Sequence, residues 1–322
     1  MASVIYIEAE DVESAWIEAL RRVLEEGDDI STEYDKENDI PSKDSTALIR
    51  IKNPLSNPIR SRRGKEKKIL KVKSKFGNSY EVYGCLADIF LIGSIQSGYI
   101  EEVLEGVNDH YLSESSQSFP YSYHDRIYNY AAYSLEDSVK KDFLVPIIRN
   151  EVVKKHEKLK FSKKVQEIGD KLIWKLGNGL QIELDKEISE QIGIKNIYLS
   201  LLDLPKINQI DYIIKKLKES PYSRRAQAIT WRPYADPYSE DPPCLQRLYF
   251  RIKNNKLILQ TCWRSRDLFK AWEPNVNGMI RIQESVAKEL EIEVGEYLDF
   301  SNSLHIYGKD IKEAKELLNS IQ

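Results

Sequence analysis

Residues 241–267 read DPPCLQRLYFRIKNNKLILQTCWRSRD. Leu248, Phe250 and Ile252 alternate with polar neighbours, and Leu257, Leu259, Thr261 and Trp263 alternate in the same way. Period-two alternation marks strands that bury one face. Asn254-Asn255 separates the two runs, and Asn tolerates the positive φ of a tight hairpin turn. The stretch therefore predicts an antiparallel hairpin whose turn lies midway between Cys244 and Arg264. A three-residue loop sets those two residues opposite each other on one face; a two-residue loop sets them one register apart. If they face each other, the guanidinium favours the thiolate, the nucleophilic form of cysteine. Cys244 is thus the candidate nucleophile.

Working outward, a proline-rich loop over 233–243 delivers the cysteine, and strand-like residues over 226–231 precede it. Ile210, Ile213, Ile214 and Leu217 form one helical face that ends near Ser220-Pro221. Beyond the hairpin, the spacing predicts a helix over 276–290 and a strand over 297–300 leading to His305-Ile306-Tyr307. Near the N-terminus, Trp16, Ala19, Leu20, Val23 and Leu24 predict a helix over 11–26. Residues 28–46 read as a polar loop and 47–51 as a short strand stopped by Asn53-Pro54. The basic run 60–75 reads as a solvated hairpin with Lys and Arg outward, with phosphate binding as the sharper alternative. Residues 85–106 predict a core helix and a second, shorter one. The Lys- and Glu-rich stretch 134–205 reads as a helical insertion. The fold class expected is α+β: a mixed β-sheet flanked by helices, in one catalytic domain over 1–322 with an inserted subdomain at about 134–205.

The chain has 322 residues, a net charge of −3, 41% hydrophobic and 31% charged residues. That composition is globular, and no apolar run approaches the roughly 18 to 20 residues that cross a bilayer. The N-terminus lacks a basic segment followed by an apolar one, so no signal peptide is expected. Cys85, Cys244 and Cys262 are too few and too scattered for a disulfide framework, which points to a reducing, cytoplasmic setting. The four histidines are scattered and no CxxC pair exists, so no metal is expected. Mild acidity weighs against wholesale nucleic-acid binding.

Five elements recur in order: Ser223-Arg224-Arg225, Pro243-Cys244, Arg264-Ser265-Arg266-Asp267, Asn275, and His305-Ile306-Tyr307. The cysteine lies nineteen residues after Arg225 and twenty before Arg264. This order and spacing resemble the thymidylate synthase family. The wording Pro-Pro-Cys-Leu-Gln and His-Ile-Tyr-Gly looks more like its archaeal, methanogen-type branch than its bacterial one. The resemblance is strong over 208–310, weaker over 1–130 and absent over 134–205.

The resemblance implies that Cys244 adds to carbon 6 of a pyrimidine nucleotide, dUMP being favoured. The one-carbon unit would come from 5,10-methylene-tetrahydrofolate or a related tetrahydropterin, giving dTMP. It further implies that Arg264 and Ser265 bind the 5′-phosphate, and that Arg224 and Arg225 reach the partner's site in a homodimer. Asn275 and the backbone N–H of Asp267 would read the ring, and His305 and Tyr307 would bind the ribose. Tyr123, in Phe119-Pro120-Tyr121-Ser122-Tyr123-His124, would match the active-site tyrosine.

This chain departs from the bacterial pattern in four places. Leu245 stands where His follows the nucleophile. No arginine occupies the N-terminal phosphate loop near Ser31-Thr32-Glu33, for which Arg60 is a candidate substitute. Asp88 is the nearest carboxylate to the core-helix glutamate. Only fifteen residues follow Tyr307, where bacterial members have a longer tail over the folate. Two other functions compete: a dUMP, dCMP or CMP hydroxymethylase on the same scaffold, and a non-catalytic nucleotide or nucleic-acid binder using the basic run 60–75.

Overall fold

In the computed structural model, Asp11 ends strand β1 (Val4–Ala9) and opens helix α1 (Val12–Glu26) through a capping box with Ser14. The Asp11 carboxylate accepts from Ser14 N at 2.8 Å, which satisfies one of the orphan donors of the first turn. Val12, Ala15, Trp16, Ala19, Leu20 and Val23 are buried along one stripe of α1. The helix ends where the backbone turns extended at Gly27, and glycine fits there because a Cβ would lie 2.4 Å from the Val23 carbonyl oxygen.

The structure describes residues 2–32, 39–56, 69–83, 98–109, 112, 121–130, 165–168, 171–177, 180–185, 206–233, 236–239 and 241–321. Asp88, Arg60 and the helix expected from residue 85 lie outside the described residues, apart from the short helix at its end. Among the described residues no helix is long and apolar enough to cross a membrane.

The chain divides into two units. One comprises Met1–Tyr128, Asn208–Trp231 and Pro243–Gln322; the other comprises Asn129–Ile207 and Arg232–Pro242. The first holds the remaining helices, α2 (Tyr99–Glu105), α3 (Tyr123–Tyr128), α4 (Gln209–Glu219), α5 (Trp272–Glu289) and α6 (Ile311–Ile321). Its main strands are β1, β2 (Asp28–Ile30), β3 (Ser42–Ile51), β9 (Gln227–Ile229), β10 (Leu245–Lys253), β11 (Lys256–Trp263), β12 (Arg266–Asp267) and β13 (Glu293–Ile306). The sheet order is β1-β3-β13-β11-β10-β9, with β12 beside β13 and β2 beside β3. Pairing is parallel for β1/β3, β11/β13 and β12/β13, and antiparallel elsewhere. This is the mixed sheet flanked by helices that the sequence predicts.

One face of the sheet carries the core. Ile5, Ile49, Ile51, Leu248, Phe250, Leu259 and Tyr297 are all buried there, each contributing on the order of 1.5–3 kcal/mol of burial. A separate hairpin pairs β4 (Ile69–Lys73) with β5 (Ser79–Tyr83). Lys71, Lys73 and Lys75 are exposed on it; the hairpin lies further along the chain than the expected 60–75, of which 60–68 are outside the described residues.

Several expectations need correction. The expected loop over 28–46 contains β2 and the first half of β3. Ser42 and Ser45 are buried because β13 pairs with this polar segment, Leu304 opposite Ser45 and Ile306 opposite Lys43. The helix expected at 276 begins four residues earlier, which puts Pro274 in the first turn, where its missing N–H costs nothing. In the expected helical insertion, the described residues are strands: β6 (Val165–Ile168), β7 (Lys171–Gly177) and β8 (Leu180–Asp185) form an antiparallel sheet. The Gln181-Ile182-Glu183-Leu184-Asp185 alternation has period two, a strand signal that high Lys and Glu content masks.

Candidate active site

The hairpin resolves the register question in an unexpected way. Asn254 and Asn255 have φ of 52° and 57°, the signature of a two-residue turn, and Lys253 pairs with Lys256. Left undisturbed, that register would offset Cys244 from Arg264 by one residue. A bulge at Gln246 takes up the offset: Arg247 pairs with Cys262, but Leu245 pairs with Trp263. Cys244 therefore lies opposite Arg264, whose backbone N–H donates to the Cys244 carbonyl at 2.9 Å. Bulges re-aim side chains at the ends of strands, and this one restores the facing pair. The Arg264 guanidinium is anchored on the same side, Nε donating to the Pro243 carbonyl at 3.1 Å.

Tyr123 closes over this point. Its hydroxyl oxygen accepts from Leu245 N at 3.4 Å, and its ring meets Trp263 edge-on at 5.8 Å and Tyr121 at 5.6 Å. Burial pushes its hydroxyl well above the ordinary phenol range, and the neighbouring Tyr121 and Cys244 push the same way. Tyr123 therefore stays protonated beside the thiol at neutral pH.

The carboxyl ends of parallel strands β11, β12 and β13 bring in the rest. Ser265, half-buried, links Arg264 to β12. Asp267 pairs with His305, and its carboxylate accepts from the N–H groups of Phe269 and Lys270 at 2.9 and 3.1 Å. Burial raises its carboxyl above the usual range. His305 is buried, with its ring T-shaped on Tyr307 at 4.7 Å. Burial lowers its pKa, so the imidazole is neutral. Among the described residues, Nε2 of His305 has no hydrogen-bond partner, an orphaned polar atom that a sugar hydroxyl would satisfy. Asn275 sits in the first turn of α5, with Oδ1 accepting from the Tyr99 hydroxyl at 2.7 Å.

Arg224 and Arg225 are not brought to the thiol. Both are exposed, and the neighbouring Ala226 carbonyl accepts from Phe250 N. That fixes them near the turn end of β10, six residues from Cys244, or roughly 20 Å along an extended strand.

Sequence reasoning passed over two groups. Arg266 points inward rather than to solvent: its guanidinium pairs with Asp299 at 2.6 Å, both side chains almost fully buried, and stacks 3.6 Å over the Trp263 ring. Tyr99 was equally unmarked, although the mid-helix Gly278 that makes room for it is a visible signal. Among the described residues no cluster of three or more His, Cys, Asp or Glu could hold a metal ion.

A family profile described as thymidylate synthase matches residues 161–321. The match begins inside 134–205, where the sequence reading sees no resemblance. Provisionally named thymidylate synthases of methanogens are similar over about a third of this chain. That of Methanothermobacter marburgensis is 38% identical over 114 residues, covering 35% of this chain and 51% of that protein. That of Methanocaldococcus jannaschii is 45% identical over 107 residues, covering 32% and 48%. That of Methanosarcina mazei is 37% identical over 116 residues, covering 36% and 54%. The chain thus spans about half the length of these relatives.

Proposed function

This chain belongs to the thymidylate synthase family, and from that premise we propose that it transfers a one-carbon unit to carbon 5 of dUMP, yielding dTMP. The observation that carries the reading is the Gln246 bulge, which sets Cys244 opposite Arg264. In this reading the Cys244 thiolate attacks carbon 6 of the pyrimidine, and carbon 5 becomes the nucleophile. Arg264 and Ser265 hold the 5′-phosphate, for which a planar, permanently charged guanidinium is suited. Asn275 reads the ring edge, and the unpaired His305 Nε2 takes a ribose hydroxyl with Tyr307 beside it. Tyr123, kept protonated by burial, offers a proton donor next to the thiol.

A methylene-tetrahydrofolate or related pterin, when bound, supplies the carbon and the hydride. The aromatic pair Tyr121 and Tyr123 beside the thiol suits a flat heteroaromatic ring.

The same reading includes a homodimer, for which the open sheet face offers a surface. On the sheet face opposite the core, Cys262, Phe300, Leu48 and Tyr6 are paired in one row across four strands. Leu48 and Tyr6 are exposed. An apolar row on an open sheet favours a second copy, and the distant Arg224 and Arg225 then serve the partner's site.

The test is incubation with dUMP tritiated at carbon 5 and methylene-tetrahydrofolate. Tritium release and dTMP are expected, both lost in Cys244→Ala. Neither signal from the wild-type protein sinks the proposal. Mass spectrometry of the product separates methyl from hydroxymethyl, which is one oxygen heavier.

A further inference from the structure

Asn275 is held at both ends of its amide. Nδ2 donates to the Ala271 carbonyl, one helical turn back. Oδ1 accepts from the hydroxyl of Tyr99, which is 176 residues away in sequence. The Ala271 carbonyl can only accept and the Tyr99 hydroxyl is placed to donate, so the two partners together hold nitrogen toward Ala271 and oxygen toward Tyr99. The Tyr99 hydroxyl then occupies one lone pair of the oxygen end. What remains free on the amide is one N–H and one lone pair, in a fixed order.

The seat for Tyr99 is built into α5. Gly278 lies one turn beyond Asn275 on the same helix, and a Cβ there would come within 3.3 Å of the Tyr99 ring and 3.6 Å of Val103. Glycine inside a helix costs about 1 kcal/mol relative to alanine. Here it opens the groove into which the Tyr99 ring packs. Burial pushes the Tyr99 hydroxyl far above the ordinary phenol range, so it remains a donor at any physiological pH.

Uracil presents N3–H and a carbonyl at position 4; cytosine presents a bare N3 and an amino group, the reverse order. An amide free to flip reads both rings, whereas a pinned amide reads one. We infer that Tyr99 is a positioning residue for pyrimidine selection: its hydroxyl pins Asn275 so that the site distinguishes dUMP from dCMP. The inference rests on the proposed role of Asn275 at the ring edge.

The experiment is calorimetric titration of dUMP and dCMP into the wild-type, Tyr99→Phe and Gly278→Ala proteins, with melting temperatures alongside. The wild type should favour dUMP, and Tyr99→Phe should lower the dUMP-over-dCMP affinity ratio roughly tenfold, the worth of a good hydrogen bond. Gly278→Ala removes a helix-weakening residue yet displaces the ring, so it should lower the same ratio without lowering the melting temperature. A purely structural role for Tyr99 would weaken both nucleotides alike. An unchanged ratio in both variants overturns the inference and leaves the nucleotide reading intact. A wild-type protein that binds neither nucleotide overturns the nucleotide reading, and the inference with it.

Discussion

Cys262 is the internal control for Cys244. It is half-buried on β11 opposite Arg247, and burial pushes its thiol up more than Arg247 pulls it down. Cys244 lies instead at a strand end, tied through its backbone to Arg264. Iodoacetamide at neutral pH should label Cys244 before Cys262, as read by peptide mass mapping. Arg264→Leu should slow labelling of Cys244 by roughly three- to tenfold while leaving Cys262 unchanged; equal slowing at both would deny Arg264 a local role. His305 gives a pH signature. Its folded pKa lies below the ordinary 6.5 because of burial, with Asp267 and Asp44 pulling the other way. The unfolded chain therefore takes up the proton first. This contribution to stability is complete above pH 6.5 and declines as pH falls below it. Urea midpoints of His305→Gln should change less over that interval than those of the wild type. Cys244, Arg264, Asn275 and His305 are legible in the sequence because each belongs to a short motif at fixed spacing. Tyr99 is not, because only folding brings it to Asn275. Arg266 is hidden for a different reason: in Arg264-Ser265-Arg266-Asp267 its charge reads as a surface group, yet it faces inward.

At the level of elements, the buried Arg266–Asp299 pair joins β12 to β13 under the segment that carries Arg264 and Ser265. Tyr297 donates to the same Asp299 oxygen at 3.0 Å, and Ser301 donates to the other at 3.2 Å. Arg266 also donates to the Trp272 carbonyl at 3.2 Å. Breaking such a pair strands a buried charge, at a cost of about 3–5 kcal/mol. Arg281 and Glu284 are just as close, at 2.7 Å, but both are exposed, and a pair of that kind contributes about 0–1 kcal/mol. Urea denaturation should therefore show Asp299→Ala losing several kcal/mol and Glu284→Ala almost nothing. Comparable losses would mean that burial is not what distinguishes the pairs. Strand ends were the least legible feature. The reading of β13 as 297–300 falls short of its true span because Ser301-Asn302-Ser303 breaks the alternation. In the structure the register shifts between Ser301 and Leu304, so the strand continues across a polar irregularity. The Gln246 bulge was likewise invisible, since nothing in its residue type announces an unpaired position.

For the whole molecule, the question is whether one chain completes a site. The register of β9 against β10 holds Arg224 and Arg225 near Phe250, roughly 20 Å from Cys244 along the strand. No side chain spans that distance, so these arginines serve either a second copy or no site at all. A two-fold arrangement through the Cys262, Phe300, Leu48 and Tyr6 row offers the first alternative. The two are separated by mixing subunits. Cys244→Ala and Arg225→Ala proteins should each be nearly inactive alone. After unfolding together and refolding in equal amounts, half of the dimers pair one chain of each kind. In every such dimer the site with an intact cysteine receives an intact arginine from its partner, and the other site has lost its thiol. Activity should therefore return to about a quarter of the wild-type level. Phe300→Glu, which places a charge in the middle of the apolar row, should give monomers by light scattering and abolish this recovery. If the mixture shows only the sum of its parents, Arg225 has no part in the partner's site, and the two-fold reading fails.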